Sequence, residues 1–243
     1  MDRKNMRVIS HRGASGYAPE NTISAFNKAL EMKATNFEFD VHRTKDGILV
    51  VHHDYHFKRT AGIELEIKDL TYEEIKKINV AKHFNSSITE RVPTLDEVIE
   101  IIGEKADFIN IEVKNDNNVY SNIERDLIDF INKRKNIFPK IMVSSFDFDT
   151  LKRIRGISPE IRIGYLGRKL KTIALLPSIN EARSINCENF HLSRKIAFKF
   201  NLKILMAMDF NIGIFTVNEK AEALKFQNMG VWGIFSNYPD ILK

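Results

Sequence analysis

Cysteine is nearly absent from this chain of 243 residues, which carries only Cys187. A single thiol excludes an internal disulfide, and no cysteine cluster is present that could hold a zinc ion. The composition therefore gives no reason to expect an oxidising compartment.

Long apolar runs are missing as well. No stretch approaches the roughly 18 consecutive apolar residues that a membrane-spanning helix requires. The opening MDRKNMRVISHRG contains charged residues but no apolar segment long enough for a secretory signal. We therefore expect a cytoplasmic protein without a membrane span.

No block of charge of one sign occurs in the chain. The formal net charge is +5, but lysine and arginine are scattered rather than clustered. Scattered positive charge is compatible with a small anionic substrate and does not form the stripe typical of nucleic-acid binding. We expect a small-molecule substrate and no nucleic-acid partner, and the sequence leaves the oligomeric state open.

The chain does contain an alternation of short β-like runs with longer amphipathic segments. About eight strand–helix units follow one another with no linker-like stretch between them. Alternating strands and helices predict a parallel sheet, and eight units in a chain of this length favour a (β/α)8 TIM barrel over a doubly wound sheet. We expect one barrel domain over residues 1–243, with a small insertion after the second strand at about residues 55–92.

Helix boundaries are clearest at two places. In the segment PENT, either Asn21 or Thr22 can cap the backbone N–H groups of a following helix. In TLDEVIEIIG, Thr94 is the expected cap, Glu97 completes a capping box, and Gly103 ends the helix.

Polar residues occur where the predicted strands end. In a TIM barrel the carboxyl ends of the strands meet on one face, where the loops build the site. The residues at these ends are His11-Arg12, Glu38 and Asp40, His53-Asp54, Glu112 and Lys114, Ser144-Ser145, Tyr165, His191, Thr216–Asn218 and Ser236-Asn237.

Three carboxylates in this set suggest a metal site. Glu38 and Asp40 stand two apart on one strand, so both side chains point to the same face and repel each other unless a cation is present. Glu112 occupies the matching place on the next strand. Three acidic oxygens without a nearby cysteine suit Mg²⁺ or Ca²⁺. The alternative is a structural salt bridge with Arg12 or Lys114.

Two histidines beside these carboxylates form a candidate general acid–base pair, because imidazole exchanges protons near neutral pH. The first is His11. The second is either His52 or His53, which point to opposite faces of a strand, and the pattern LVVHHD does not choose between them.

Several motifs carry a family resemblance. The segments HRGASGYAPENTISAF, EFDVHRTKDGILVVHHD, RTAG, VPTLDEVI, INIEVK and GIFSNYP resemble the glycerophosphodiester phosphodiesterase family in order and spacing. The resemblance runs from about Val8 to the C-terminus and is most specific up to Gly62.

This resemblance implies a (β/α)8 barrel that hydrolyses glycerophosphodiesters to glycerol 3-phosphate and an alcohol. It implies that Glu38, Asp40 and Glu112 bind one divalent cation, Mg²⁺ or Ca²⁺. It further implies that His11 and His53 are the acid–base pair, with His53 chosen over His52. By the same resemblance, Arg12 is a phosphate ligand and Lys114 a second positive group near the anion.

The sequence departs from the family pattern at three positions. Phe215 stands where the family often has tryptophan, which keeps an aromatic face for the glycerol without the indole N–H. Trp232 and Asn237 replace two acids near the last strand. We expect Trp232 to be a packing residue outside the barrel.

Two other functions are compatible with the same motifs. A lysophospholipase D-like phosphodiesterase would use the same site with a wider apolar rim, which the insertion could supply. Its apolar residues are Phe57, Ile63, Leu65, Ile67 and Phe84, and their interpretation as core residues of the insertion is favoured. A non-catalytic phosphate-binding barrel would lack an acid, a base or a metal ligand, and none is missing.

Overall fold

The computed structural model describes residues 6–84, 87–167 and 175–243, which contain nine β-strands. The strands are β1 (Arg7–His11), β2 (Asn36–Arg43), β3 (Leu49–Val51), β4 (Phe108–Val113), β5 (Ile141–Ser145), β6 (Arg162–Gly167), β7 (Asn189–Ser193), β8 (Asn211–Phe215) and β9 (Gly233–Ser236). The α-helices are α1 (Ile23–Glu31), α2 (Lys58–Ala61), α3 (Tyr72–Ile75), α4 (Leu95–Ile102), α5 (Ile123–Asn132), α6 (Phe148–Ile157), α7 (Leu175–Ser184), α8 (Lys199–Ala207) and α9 (Lys220–Asn228).

Eight of these strands form a closed parallel barrel in the order β1-β9-β8-β7-β6-β5-β4-β2, with β2 pairing back to β1. Each pair of consecutive barrel strands is joined by a segment that contains a helix, which returns the chain to the same end of the sheet. The predicted TIM barrel is confirmed. The predicted helical region around residues 170–185 corresponds to α7, and its part over residues 168–174 lies outside the described residues.

Strand β3 is the exception, because it lies outside the barrel. It pairs antiparallel with β2, with Val51 opposite Val41. The two strands are connected by a tight turn in which the N–H of Gly47 donates to the carbonyl of Thr44 over 3.0 Å. A connection this short permits only an antiparallel pair, since a parallel pair needs a crossover of a dozen or more residues.

The helix caps follow the sequence signals. Thr22 caps α1, with its Oγ1 accepting from the N–H of Ala25 at 3.3 Å, whereas Asn21 donates its side-chain amide elsewhere. Thr94 caps α4 through a complete capping box with Glu97, and the helix stops at Gly103.

The insertion has an apolar core of its own. Phe57 and Ile67 are fully buried in a cluster separate from the main core, and Ile63 packs against that cluster. Phe84 is half-buried, and Leu65 is 46% exposed. The interpretation as core residues of the insertion therefore holds for Phe57, Ile63 and Ile67, whereas Leu65 is exposed and Phe84 is not part of this cluster.

The barrel interior is closed at its amino end by aromatic packing. Phe108 belongs to a cluster of buried apolar side chains inside the barrel. The ring of Trp232 packs edge-on against Phe108 at a centroid distance of 5.1 Å. Trp232 is therefore a packing residue, but the expectation that it lies outside the barrel is wrong, because it directly precedes β9 and covers the open end of the interior. Among the described residues, no helix is long and apolar enough to cross a membrane.

Candidate active site

A cavity of about 180 Å³ opens at the carboxyl ends of the barrel strands. It is lined by His11, Arg12, Glu38, His53, Asn110, Glu112, Lys114, Phe146, Leu166, Phe215, Thr216 and Phe235. The structure thus brings together seven of the eight residues that the sequence predicts for the site. The eighth, Asp40, has no exposed surface and lies directly beside the cavity.

The three predicted metal ligands converge because of the strand register. Glu38 and Asp40 alternate with apolar residues on β2, and Glu112 on β4 is the direct neighbour of Asp40. One carboxylate oxygen from each residue lies within 4.8 Å of the others. A set of three converging carboxylates suits a hard divalent cation.

Two cations contact these carboxylates. Lys114 forms ion pairs with Asp40, at 2.9 Å between Nζ and Oδ1, and with Glu112. Arg12 Nε lies 3.2 Å from Asp40 Oδ2, which also accepts from Asn21 over 2.9 Å. Burial disfavours the Asp40 carboxylate, but Lys114 and Arg12 outweigh this effect and hold its pKa well below the usual range. The salt bridges that the sequence left as an alternative are therefore present.

Glu38 differs from Asp40 in its environment. The contacts of its side chain include the backbone N–H of Arg12, which donates over 3.1 Å. Burial and the adjacent charges of Asp40 and Glu112 raise the pKa of Glu38 well above its usual range. Three buried carboxylates thus face two cations, and the unbalanced charge is the feature of this site that fits a divalent cation.

The two cavity histidines have oxygen acceptors of different charge. Nδ1 of His11 donates to Oδ1 of Asn237 over 2.7 Å, and Nδ1 of His53 donates to Oδ1 of Asp54 over 2.7 Å. These bonds leave Nε2 of each ring available to a ligand. Burial, assisted by the charge of Arg12, lowers the pKa of His11 to about 3.

His52 is directed away from the cavity. Its ring packs against Phe57 in the insertion at a centroid distance of 5.1 Å, and its Nε2 lies 3.5 Å from the hydroxyl of Thr60. The structure thus places His53, and not its neighbour, at the barrel mouth.

An ionic network connects the site to the insertion. Glu20 binds Arg12 at 2.9 Å and Arg59 at 2.6 Å, and Arg59 also donates to Asp54 over 2.7 Å. Burial opposes the charge of Glu20, but the hydrogen bonds from Arg59 and the charge of Arg12 lower its pKa to about 2. Glu20 and Arg59 were not among the predicted site residues, although both lie in the motifs PENT and RTAG.

The comparisons with known proteins agree with this geometry. Residues 11–241 match the model of the Glycerophosphoryl diester phosphodiesterase family. The chain belongs to this family. Membership confirms the family and the enzyme class that the motifs predict.

Similar proteins include a glycerophosphodiester phosphodiesterase of Caldanaerobacter subterraneus, which is 44% identical over 65% of this chain and 65% of its own length. A Bacillus subtilis glycerophosphodiester phosphodiesterase is 30% identical over 96% of this chain and 84% of its own. Among solved structures, an Oleispira antarctica phosphodiesterase in complex with the product sn-glycerol-3-phosphate has a TM-score of 0.83 and 28% identity, covering 96% of this chain and 93% of that one.

Aromatic rings form one wall of the cavity, which we call the aromatic wall. It includes Phe215, which stands where the family often has tryptophan. The ring of Phe215 meets that of Phe146 edge-on at 5.8 Å, and Nζ of Lys114 lies 5.8 Å from the Phe146 ring. Phe146 and Asn110 were not predicted for the site. Both carry a signal: Asn110 stands two residues before Glu112 on the same face of β4, and Phe146 directly follows β5.

Proposed function

We propose that this chain hydrolyses glycerophosphodiesters to glycerol 3-phosphate and an alcohol, using one divalent cation held by Glu38, Asp40 and Glu112. The observation that carries the proposal is the meeting of these buried carboxylates with two histidines and two cations in one cavity. Family membership and the product bound by the Oleispira phosphodiesterase support the substrate class.

The charges of the site match a phosphodiester. A bound divalent ion supplies Lewis-acid stabilisation of the phosphoryl oxygens. Arg12 and Lys114 line the same cavity and donate hydrogen bonds to the substrate anion. With one divalent ion and one phosphodiester monoanion bound, the negative and positive charges of this cluster balance.

The two histidines have different roles in this proposal. The ring of His53, oriented by the bond from its Nδ1 to the carboxylate of Asp54, donates a proton from Nε2 to the departing alkoxide. The neutral amide of Asn237 orients His11 without adding negative charge, so His11 accepts the proton of the attacking oxygen. The attacking oxygen belongs to water or to a hydroxyl of the substrate's own glycerol.

The glycerol part of the substrate contacts the aromatic wall, with Phe215 as the main face, and the alcohol extends towards solvent. These contacts position the phosphorus for in-line attack. We therefore expect choline, ethanolamine and glycerol diesters to be hydrolysed with similar efficiency, and diesters without the glycerol moiety to be poor substrates.

The test is a substrate panel in which release of the alcohol is measured for every diester, and release of glycerol 3-phosphate is measured as well for the three glycerophosphodiesters. The panel contains glycerophosphocholine, glycerophosphoethanolamine, glycerophosphoglycerol, lysophosphatidylcholine and a diester without glycerol. Hydrolysis of the first three at comparable kcat/KM supports the proposal. Preference for lysophosphatidylcholine would favour the lysophospholipase D activity, and binding of glycerophosphocholine without turnover would favour a non-catalytic barrel.

A further inference from the structure

The start of α8 carries an exposed aromatic pair that the proposed reaction does not use. Phe198 and Phe200 are 61% and 62% exposed, more than any other large apolar side chain of the described residues. Two such rings exposed within three residues of one another are typical of an interaction surface.

This pair lies on the face of the barrel that holds the catalytic cavity. The segment leading to α8 leaves β7 at its carboxyl end, which is the end where the site is built. The N–H of Arg194 at the start of this segment donates to the carbonyl of Phe215 over 2.7 Å. The exposed segment is therefore attached to the wall of the cavity.

Lysines alternate with the two rings. Lys195, Lys199 and Lys203 are exposed, and none of them has an ion-pair partner among residues 6–84, 87–167 and 175–243. The nearby acid Glu222 is already paired with Arg194 at 3.3 Å. We define the α8 patch as Lys195, Phe198, Lys199, Phe200 and Lys203.

The groove next to the patch has the same character. A groove of about 610 Å³ between α8 and α9 is lined by Lys199, Leu202, Lys203, Met206, Ala221, Leu224, Lys225, Asn228 and Met229. Apolar side chains alternate here with lysines, and no carboxylate of the described residues lines the groove. This combination suits a partner that is apolar beneath a negatively charged surface.

We propose that the α8 patch docks the barrel mouth on an anionic phospholipid surface. The aromatic rings enter the boundary between head groups and acyl chains, and the lysines contact lipid phosphates. The docking itself does not depend on the proposed reaction.

The experiment is sedimentation of the full chain with vesicles of phosphatidylglycerol and phosphatidylcholine, compared with vesicles of phosphatidylcholine alone. We expect binding to the anionic vesicles and its loss at high salt, because salt screens the lysine contribution. Binding to both kinds of vesicle alike, or to neither, overturns the proposal.

Variants separate the two contributions. Each lysine near an anionic surface contributes about fivefold to binding, so replacing Lys195, Lys199 and Lys203 by Gln lowers partitioning about 10²-fold at low salt. The double variant Phe198→Ser/Phe200→Ser lowers it on anionic vesicles at low salt without changing the number of lysines.

Matched control variants replace exposed lysines or an exposed apolar side chain at sites away from the α8 patch. The triple variant Lys105→Gln/Lys133→Gln/Lys135→Gln makes the same change in net charge at exposed lysines that follow α4 and α5, and Leu65→Ser removes an exposed apolar side chain from the insertion. If these controls weaken vesicle binding as much as the patch variants do, the patch is not the docking surface.

Glycerophosphocholine hydrolysis in free solution is measured in parallel for every variant. We expect it to be unchanged in the patch variants, because none of these side chains lines the cavity. A wild-type chain that binds anionic vesicles but does not hydrolyse glycerophosphocholine would overturn the proposed reaction and leave the docking intact. Self-association that disappears in Phe198→Ser/Phe200→Ser, without vesicle binding, would assign the patch to a second copy of the chain and overturn lipid docking.

Discussion

The two ends of the barrel differ in how they hold charge. The carboxyl end has a cavity of about 180 Å³ with buried charged groups, among them Glu38 and Lys114 at 2% and 4% exposure. The amino end, within the described residues, has a cavity of about 1060 Å³. Its charged lining residues are all exposed, and they are Arg7, Lys33, Asp107, Asp209 and Lys243.

The larger cavity is therefore not the better candidate for the active site. Exposed charges are solvated and have little effect on one another. Buried charges are costly to place, and a fold that gathers four of them at one small cavity, namely Glu38, Asp40, Glu112 and Lys114, holds an arrangement that packing alone does not require. Burial of charge, more than volume, distinguishes the functional end of this barrel.

The largest loss of activity is expected when a carboxylate of the carboxyl-end cavity is replaced. Glu38→Gln and Glu112→Gln should each lower kcat/KM for glycerophosphocholine by about 10³-fold, because Lewis-acid stabilisation is worth several kcal/mol. Asp107→Asn at the amino end is the matched control and should leave kcat/KM unchanged. The comparison fails if Asp107→Asn is as damaging as either carboxylate variant in folded protein.

The histidine pair is expected to give an effect of comparable size. His11→Ala and His53→Ala should each lower turnover by roughly 10²–10⁴, the usual scale of general acid–base catalysis. His52→Ala is the control, because this ring packs in the insertion and does not line the cavity. Turnover is compared at equal folded fraction, measured by thermal unfolding. Equal damage from His52→Ala would contradict the orientation of these neighbours.

A change of leaving group separates the acid from the base. A glycerol 3-phosphate ester of p-nitrophenol needs no proton on its departing oxygen, so the defect of His53→Ala should shrink by about 10²-fold on this substrate. The defect of His11→Ala should persist, since the attacking oxygen must still lose its proton. The opposite pattern would exchange the two roles.

The smallest effect is expected at the amino end. Trp232→Ala removes a ring that packs on Phe108 and should lower the free energy of unfolding by about 2 kcal/mol, less than for a fully buried aromatic. Urea unfolding measures this change. Turnover of the folded protein should stay at the wild-type level, and a loss of turnover without a loss of stability would mean that the amino end contributes to the site.

Local signals in the sequence predicted much of this arrangement. Alternation of strands and helices indicated the barrel, and the two-residue spacing of Glu38 and Asp40 correctly placed both on one face of β2. The capping box at Thr94 and Glu97 is also present as expected. Each of these features depends on residues that are close together in the chain, so it can be recognised from the sequence alone.

Features that depend on distant contacts could not be predicted. The pairing of Asn237 with His11 joins residues 226 positions apart. The choice between His52 and His53 is decided by packing of the insertion, which periodicity does not encode. The position of Trp232 depends on its packing against Phe108. A single tryptophan in the sequence does not show which surface its ring will cover.

The central claim is that a divalent cation at the carboxyl end is required for phosphodiester hydrolysis, and metal depletion tests it most directly. The full chain is treated with chelator, dialysed, and assayed for release of glycerol 3-phosphate from glycerophosphocholine while Mg²⁺ or Ca²⁺ is titrated back. We expect that depletion abolishes release and that one of these ions restores it in the wild type but not in Glu38→Gln. Full activity after exhaustive depletion would contradict the claim.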